Sequence, residues 1–215
     1  MDDNPNENRR PIASRNTKWA GRVTAALVER GITPNQISIA SMGAAALAGG
    51  AFWAATAVPG WLAGILLLIG AAFTQGRLLC NLFDGLVAVE GGKGAPDGPF
   101  WNEFPDRVAD LLILAGFGVA AGCPALGWAA GGLAVFTAYV RELGRALGLG
   151  SDFSGPMAKP HRMAAVTVGA VAQVVLWIVG IGWPLLLWVL WLIAIGTAAT
   201  VARRGLRIVR GLNAA

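Results

Sequence analysis

The sequence predicts an all-α, polytopic membrane protein: six transmembrane helices preceded by an amphipathic helix lying in the membrane interface. Three observations predict it. The 215-residue chain is 55% hydrophobic and 13% charged, with a mean hydropathy of +0.59, which is too apolar for an ordinary soluble domain. No Asp, Glu, Lys, Arg or His occurs in 31–76, 111–140 or 163–202; each stretch holds about two helical spans of the ~20 residues that cross ~30 Å of hydrocarbon. Each is broken near its middle by a turn, at Pro59-Gly60, Gly122-Cys123-Pro124 and Gly180-Ile181-Gly182-Trp183-Pro184, and these read as tight hairpins between paired helices.

The predicted spans are 35–57, 60–88, 105–122, 125–147, 162–181 and 184–204, the second and fourth running past the hydrocarbon on one side. Ahead of them, 17–30 places Lys18, Arg22 and Glu29 on one helical face and Trp19, Val23, Ala26 and Leu27 on another, the pattern of an interfacial helix. Gly31 to Gln36 reads as a turn that starts a new helix. Residues 1–16 are polar, have no apolar core after their arginines and read as a loose cytoplasmic tail rather than a cleavable signal. The remainder, 17–215, forms one transmembrane domain.

All 17 Lys and Arg lie in the N-terminal segment, in the two central connections with their flanking helix ends, or after residue 202, and the three hairpins hold none. The positive-inside rule then puts both termini and both charged loops in the cytoplasm, in an inner or plasma membrane. Topology and anionic headgroups account for the net charge of +5 without a nucleic-acid partner. Cys80 and Cys123 fall about a membrane thickness apart, so no bridge joins them. The loop 89–105, dense in Gly and Pro, is expected to be irregular backbone.

Carboxylates so near hydrocarbon are costly unless paired, hydrated or bound to metal. Asn81, Asp84, Gly85 and Ala88 recur at i, i+3, i+4 and i+7, one face of a helix; Asp106 and Asp110 repeat at i, i+4 on the next. If the faces meet, three carboxylates and an amide oxygen converge. Such hard oxygen ligands suit Mg²⁺ or Mn²⁺, and the dearth of His and Cys argues against zinc. The small Gly85 and Ala88 leave room for a flat base or a diphosphate beside the backbone.

The run Asn81-Leu82-Phe83-Asp84-Gly85-Leu86-Val87-Ala88, followed by Asp106-Arg107-Val108-Ala109-Asp110, resembles the CDP-alcohol phosphatidyltransferases. Their signature is D-x-x-D-G-x-x-A-R, a loop, then G-x-x-x-D-x-x-x-D. The chain departs from it at Asn81 for the first Asp, Val89 for the Arg and Asn102 for the second Gly. Asn81 brings no negative charge, so a pair of metal ions is less neutralised unless Glu90 or Glu103 assists; the ion count, one or two, stays open.

The resemblance implies a metal-dependent phosphotransferase of phospholipid biosynthesis. A hydroxyl acceptor attacks the phosphorus nearest the lipid or alcohol of CDP-diacylglycerol or a CDP-alcohol, and CMP leaves. Asn81, Asp84, Asp106 and Asp110 would ligate the metal, Asp110 would act as general base, Gly85 and Ala88 would line the cytidine pocket, and the protein would be a homodimer. Outside the signature, Arg77, one turn before Asn81, either meets the diphosphate in place of the missing Arg or snorkels to the headgroups, and Lys93 stands near the missing Arg. Arg141, Arg145, Lys159 and Arg162 flank the second charged loop and suit the phosphate of a phosphorylated acceptor; their alternative reading is topology signals that contact lipid. His161 is the single histidine. The small-xxx-small pairs Gly118-Gly122 and Gly127-Gly131 serve either a homodimer or packing within the chain. Two rival readings are a small metal-ion carrier, whose carboxylates belong near the bilayer midplane, and a catalytically inactive scaffold of the same fold.

Overall fold

A computed structural model describes residues 17–92 and 96–214; the predicted tail 1–16 and Lys93 lie outside the described residues. These contain helices and no strand: α1 (Lys18–Glu29), α2 (Pro34–Ala54, prolonged by a 3₁₀ turn at Ala55–Ala57), α3 (Trp61–Glu90), α4 (Gly98–Ala120), α5 (Pro124–Ala146), α6 (Lys159–Ile178) and α7 (Leu185–Asn213). By length and composition, four of them are apolar enough to cross a membrane: α2, α3, α6 and α7. Of the other three, α4 and α5 have 23 residues each; α4 is interrupted by Glu103, Asp106, Arg107 and Asp110, and α5 is diluted by glycine and alanine.

Local chemistry starts and stops these helices where the sequence marks them. At the head of α2, Gln36 N–H donates to Thr33 Oγ1 (3.3 Å) and Thr33 N–H to Gln36 Oε1 (3.0 Å), with Pro34 in the first turn. This reciprocal cap satisfies donors the helix cannot. After α4, Gly122 adopts φ 72°, and Cys123 N–H reaches Gly118 C=O (2.9 Å) while Gly122 N–H reaches Val119 C=O (3.0 Å). That closure uses the left-handed conformation glycine adopts freely and turns the chain straight into α5.

Around the bundle α3 adjoins α2, α2 adjoins α4, α4 adjoins α5, α5 adjoins α7, α7 adjoins α6, and α6 returns to α3. Lipid tails are as apolar as leucine, so close packing rather than water exclusion holds such a ring. A Cβ on Gly118 would stand 2.5 Å from Gly127 Cα, and one on Gly131 would stand 3.0 Å from Leu111 Cδ2. The small-residue spacing of α4 and α5 is thus used inside the chain. Phe52 lies over Gly70 and meets the Phe117 ring edge-on at 5.4 Å.

Three expectations are revised. The connection predicted as irregular through residue 105 is helical from Gly98, because Asp97 C=O accepts from Phe100 and Trp101 N–H and Pro99 sits in the first turn; Pro105 is accommodated inside α4. α7 continues beyond residue 204 to Asn213. α1 buries Ala20 and Thr24, with Val23, Leu27 and Val28 packed toward Phe83, Leu86 and Val87 of α3, and leaves Ala26 exposed; the face that packs is rotated from the one read off the sequence. Cys80 and Cys123 are free thiols, as expected.

Candidate functional site

Because the helices alternate in direction, the N-terminal ends of α2, α4 and α6 and the C-terminal ends of α3, α5 and α7 share one end of the bundle. The polar side chains gather there. On α3, Asp84 is 5% exposed; Ser38 of α2 donates to its Oδ2 at 3.1 Å, and Gly85 N–H donates to Oδ1 at 2.5 Å. Asp84 lies within electrostatic reach of Asp106 and of Lys159, and among the described residues it forms no ion pair.

The two α4 carboxylates are paired instead. Arg77, wholly buried on α3, places Nη2 at 3.0 Å from Asp106 Oδ1 and 3.4 Å from Asp110 Oδ1. Arg162 of α6 donates from Nη2 to Asp110 Oδ2 at 2.8 Å and from Nη1 to Met157 C=O at 2.9 Å. Lys159, at the start of α6, pairs with Asp106 Oδ2 and donates to Asn81 Oδ1 at 2.8 Å. Arg77 therefore does not snorkel to the headgroups; it stands behind the α4 carboxylates. The amide oxygen of Asn81 is taken by an ammonium.

Oxygen donors and a buried Asp84 that forms no ion pair among the described residues suit a hard divalent ion. The expected tight cup of three carboxylates is not formed: among the described residues no three His, Cys, Asp or Glu side chains are grouped to hold an ion together. The cause is charge, since Lys159, Arg77 and Arg162 already occupy the oxygens of Asp106 and Asp110. Neither carboxylate named as an auxiliary ligand joins them. Glu103 pairs with Arg107 and Arg141, and Glu90 is exposed at the end of α3.

The cationic residues beyond the signature divide. Arg141, with its guanidinium 5.0 Å from the centroid of the Phe153 ring, lines a cavity of about 420 Å³ with Asp152, Arg204 and Arg207. Arg145 points elsewhere, exposed and 3.6 Å from Glu142. His161 is exposed. Arg204 and Arg207 were read in the sequence only as part of the basic C-terminal end; their i, i+3 spacing was the available signal that they share a face. Arg204 donates to Ser154 C=O (3.0 Å) and Thr137 C=O (2.8 Å), and Arg207 to Asp152 (2.9 Å) and Ser154 Oγ (2.6 Å). The second charged loop is thereby fastened to α7. Burial opposes the charge on Asp152, but the hydrogen bonds from Ser154 and the Arg207 guanidinium outweigh it and hold the carboxyl below its ordinary range. Ser38, in an uncharged stretch, left no signal in the sequence.

A ring of six long helices with charged residues gathered at one end is a fold shared with a solved phospholipid synthase. Phosphatidylinositol phosphate synthase of Mycobacterium tuberculosis, crystallised with CDP-diacylglycerol bound, superposes with a TM-score of 0.73 at 20% identity over 89% of this chain and 94% of that one. Its complex with manganese and citrate gives 0.72 at 21% identity over 88% of each chain, and its apo form 0.67 at 21% over 87% and 94%. No protein-family model and no curated protein matches the sequence.

Proposed function

We propose that the chain transfers a phosphatidyl or related phospho-alcohol group from CDP-diacylglycerol, or another CDP-alcohol, to a hydroxyl acceptor and releases CMP. The observation that carries this reading is the neighbourhood of Asp84 on α3 with Asp106 and Asp110 on α4 at one end of an apolar bundle, on a fold shared with a synthase solved with CDP-diacylglycerol. A bound Mg²⁺ or Mn²⁺ polarises the diphosphate and neutralises the departing CMP oxygens. Asp84 would anchor it, and Asn81, Asp106 and Asp110 would be the other residues to hold it.

The chain's own groups do the rest. Asp110 takes the proton of the acceptor hydroxyl: Arg77 and Arg162 fix its orientation while each carboxylate oxygen keeps a second lone pair toward which a hydroxyl can point. The acceptor oxygen bonds to the phosphorus nearest the lipid, and the bond to the CMP oxygen breaks. Gly85 and Ala88 leave space for cytidine against α3. Arg141, beside Arg204 and Arg207, suits the phosphate of a phosphorylated acceptor by bidentate pairing.

In this reading α4 and α5 cross the bilayer with the other four helices, their charged ends shielded by the ring. α1 lies in the interface, and the basic end, with both termini, faces the cytoplasm by charge bias. Gly118, Gly127 and Gly131 are consumed by contacts within the chain, so a homodimer uses another face. The test is to incubate purified protein with CDP-diacylglycerol, Mn²⁺ or Mg²⁺ and a panel of free and phosphorylated alcohols. Metal-dependent CMP release and a new phospholipid are expected; metal uptake without CMP release would instead mark a carrier or an inactive scaffold.

A further inference from the structure

Given the group-transfer reading, on which this depends, the geometry points to a site that takes a single divalent ion, with the Lys159 ammonium standing in for a second. Lys159 lies where a second ion would draw its ligands: its Nζ is 2.8 Å from Asn81 Oδ1 and is paired with Asp106 Oδ2. Asn81 and Lys159 belong together in this respect. A neutral amide in place of a carboxylate suits a monovalent ammonium donor, which needs an acceptor but no extra charge.

Charge supports the same count. Asp84, Asp106 and Asp110 face Arg77, Lys159 and Arg162, so the assembled site is formally neutral. One divalent ion together with a CDP diphosphate of charge about −2 keeps it so, whereas a second divalent ion leaves an excess that no nearby carboxylate offsets. Glu103 is already held by Arg107 and Arg141. The unmet hydrogen-bonding capacity also has one sign: among the described residues, the buried side-chain atoms with no partner are Arg77 Nε, Arg77 Nη1 and Arg162 Nε, all donors. A site with surplus buried donors is short of an anion. Among the described residues Asp84 is the one carboxylate of the three without an ion pair, and Mg²⁺ is ordinarily held by one or two carboxylates plus substrate phosphate oxygens.

Counting the ions tests this directly. Full-length protein in lipid nanodiscs is titrated with Mn²⁺ in the presence of CDP and followed by electron paramagnetic resonance. The wild type is expected to saturate at one Mn²⁺ per chain with an uncoupled six-line spectrum. Lys159→Arg, which keeps the charge, should do the same, and Asn81→Asp combined with Lys159→Met should take up two ions and show spin coupling. Because the wild-type count needs no substitution, it decides the matter even if the double variant fails to fold. Two coupled ions in a wild type that releases CMP overturn the single-ion site alone; a wild type that binds no Mn²⁺ and releases no CMP overturns the group-transfer reading beneath it.

Discussion

The hydroxyl of Ser38 on α2 donates to the carboxylate of Asp84 on α3 across 3.1 Å, and both side chains are buried. This bond and the Gly85 N–H are the hydrogen bonds that orient the proposed metal anchor. Groups that orient a ligand from behind typically govern metal affinity by one to two orders of magnitude. Ser38→Ala should therefore raise the Mn²⁺ concentration for half-maximal CMP release by about tenfold, with the elution profile in detergent unchanged. Equal half-saturation in wild type and variant would remove Ser38 from the site.

Asp106 and Asp110 have a different exposure to test. Asp106→Asn and Asp110→Asn keep the side chain's shape but remove its charge and turn one acceptor oxygen into a donor; both variants should stay folded and lose turnover by at least about a hundredfold, the scale of a lost general base or metal ligand. Unchanged rates in both would reject the assignment of α4 to the chemistry. Asp110→Asn also leaves Arg77 and Arg162 with less anionic compensation, so its unfolding temperature should fall further than that of Asp106→Asn.

The two arginines near the end of α5 should part company. Both pair with Glu142, but Arg141 also lines the cavity with Arg204 and Arg207, whereas Arg145 is 56% exposed at the level of its side chain and stands outside it. Arg141→Ala should raise the KM for a phosphorylated acceptor by tenfold or more, in line with a charge-assisted hydrogen bond of about 1.5–3 kcal/mol, and leave the KM for CDP-diacylglycerol alone. Arg145→Ala should leave both unchanged. Steady-state kinetics with each substrate varied separately check this.

Close backbone approach between α4 and α5 is open to a stability measurement. A Cβ at Gly127 would sit 2.7 Å from Gly118 Cα, a contact that only backbone displacement relieves. Gly127→Ala should cost about 1–3 kcal/mol, the usual penalty for overpacking, read as a lower Tm in detergent. Gly132→Ala, where a Cβ meets nothing within 4 Å, should be neutral or slightly stabilising.

Asp152 gives a pH signature outside the membrane-spanning helices. Its carboxyl is held below the ordinary value of 3.8 despite burial, through Ser154 and Arg207. A depressed folded value means the contribution to stability is present above the unfolded value and lost as pH falls through the folded one. The Tm difference between wild type and Asp152→Asn should thus be constant near neutrality and close as the pH drops below 3.8. With the pair partly exposed, the neutral-pH difference is under about 1 kcal/mol.

The hairpins were legible because hydropathy and the Pro/Gly breaks coincide: Gly122 and Gly180 take positive φ where the sequence put the turns. Helical periodicity made legible that Asp84, Asp106 and Asp110 stand at one end of the bundle, but not that Asp106 and Asp110 are taken up by cations instead of closing a cup with Asp84. What periodicity on a single helix cannot give is which neighbouring helix supplies a partner. Lys159 and Arg162 were read as contacts for a phosphate, but α6 packs against α3 and turns them onto Asn81, Asp106 and Asp110. Arg77 was placed on the right face without any sign that this face is sealed. Ser38, a small polar residue in an apolar run, is indistinguishable by sequence from one that satisfies its own helix.

The length of α3 carries a final consequence. Its 30 residues extend about 45 Å at 1.5 Å per residue, more than the ~30 Å of a hydrocarbon layer. Arg77 lies about 24 Å along that axis from Trp61, and Ala88 about 40 Å, so the row of polar residues straddles the depth at which lipid phosphates reside. Under the proposed function, a donor lipid would slide in sideways with its tails still among those of its neighbours, and no methylene would be drawn into water at ~0.8 kcal/mol apiece. Turnover should then be indifferent to acyl length in the substrate and sensitive to the thickness of the surrounding bilayer.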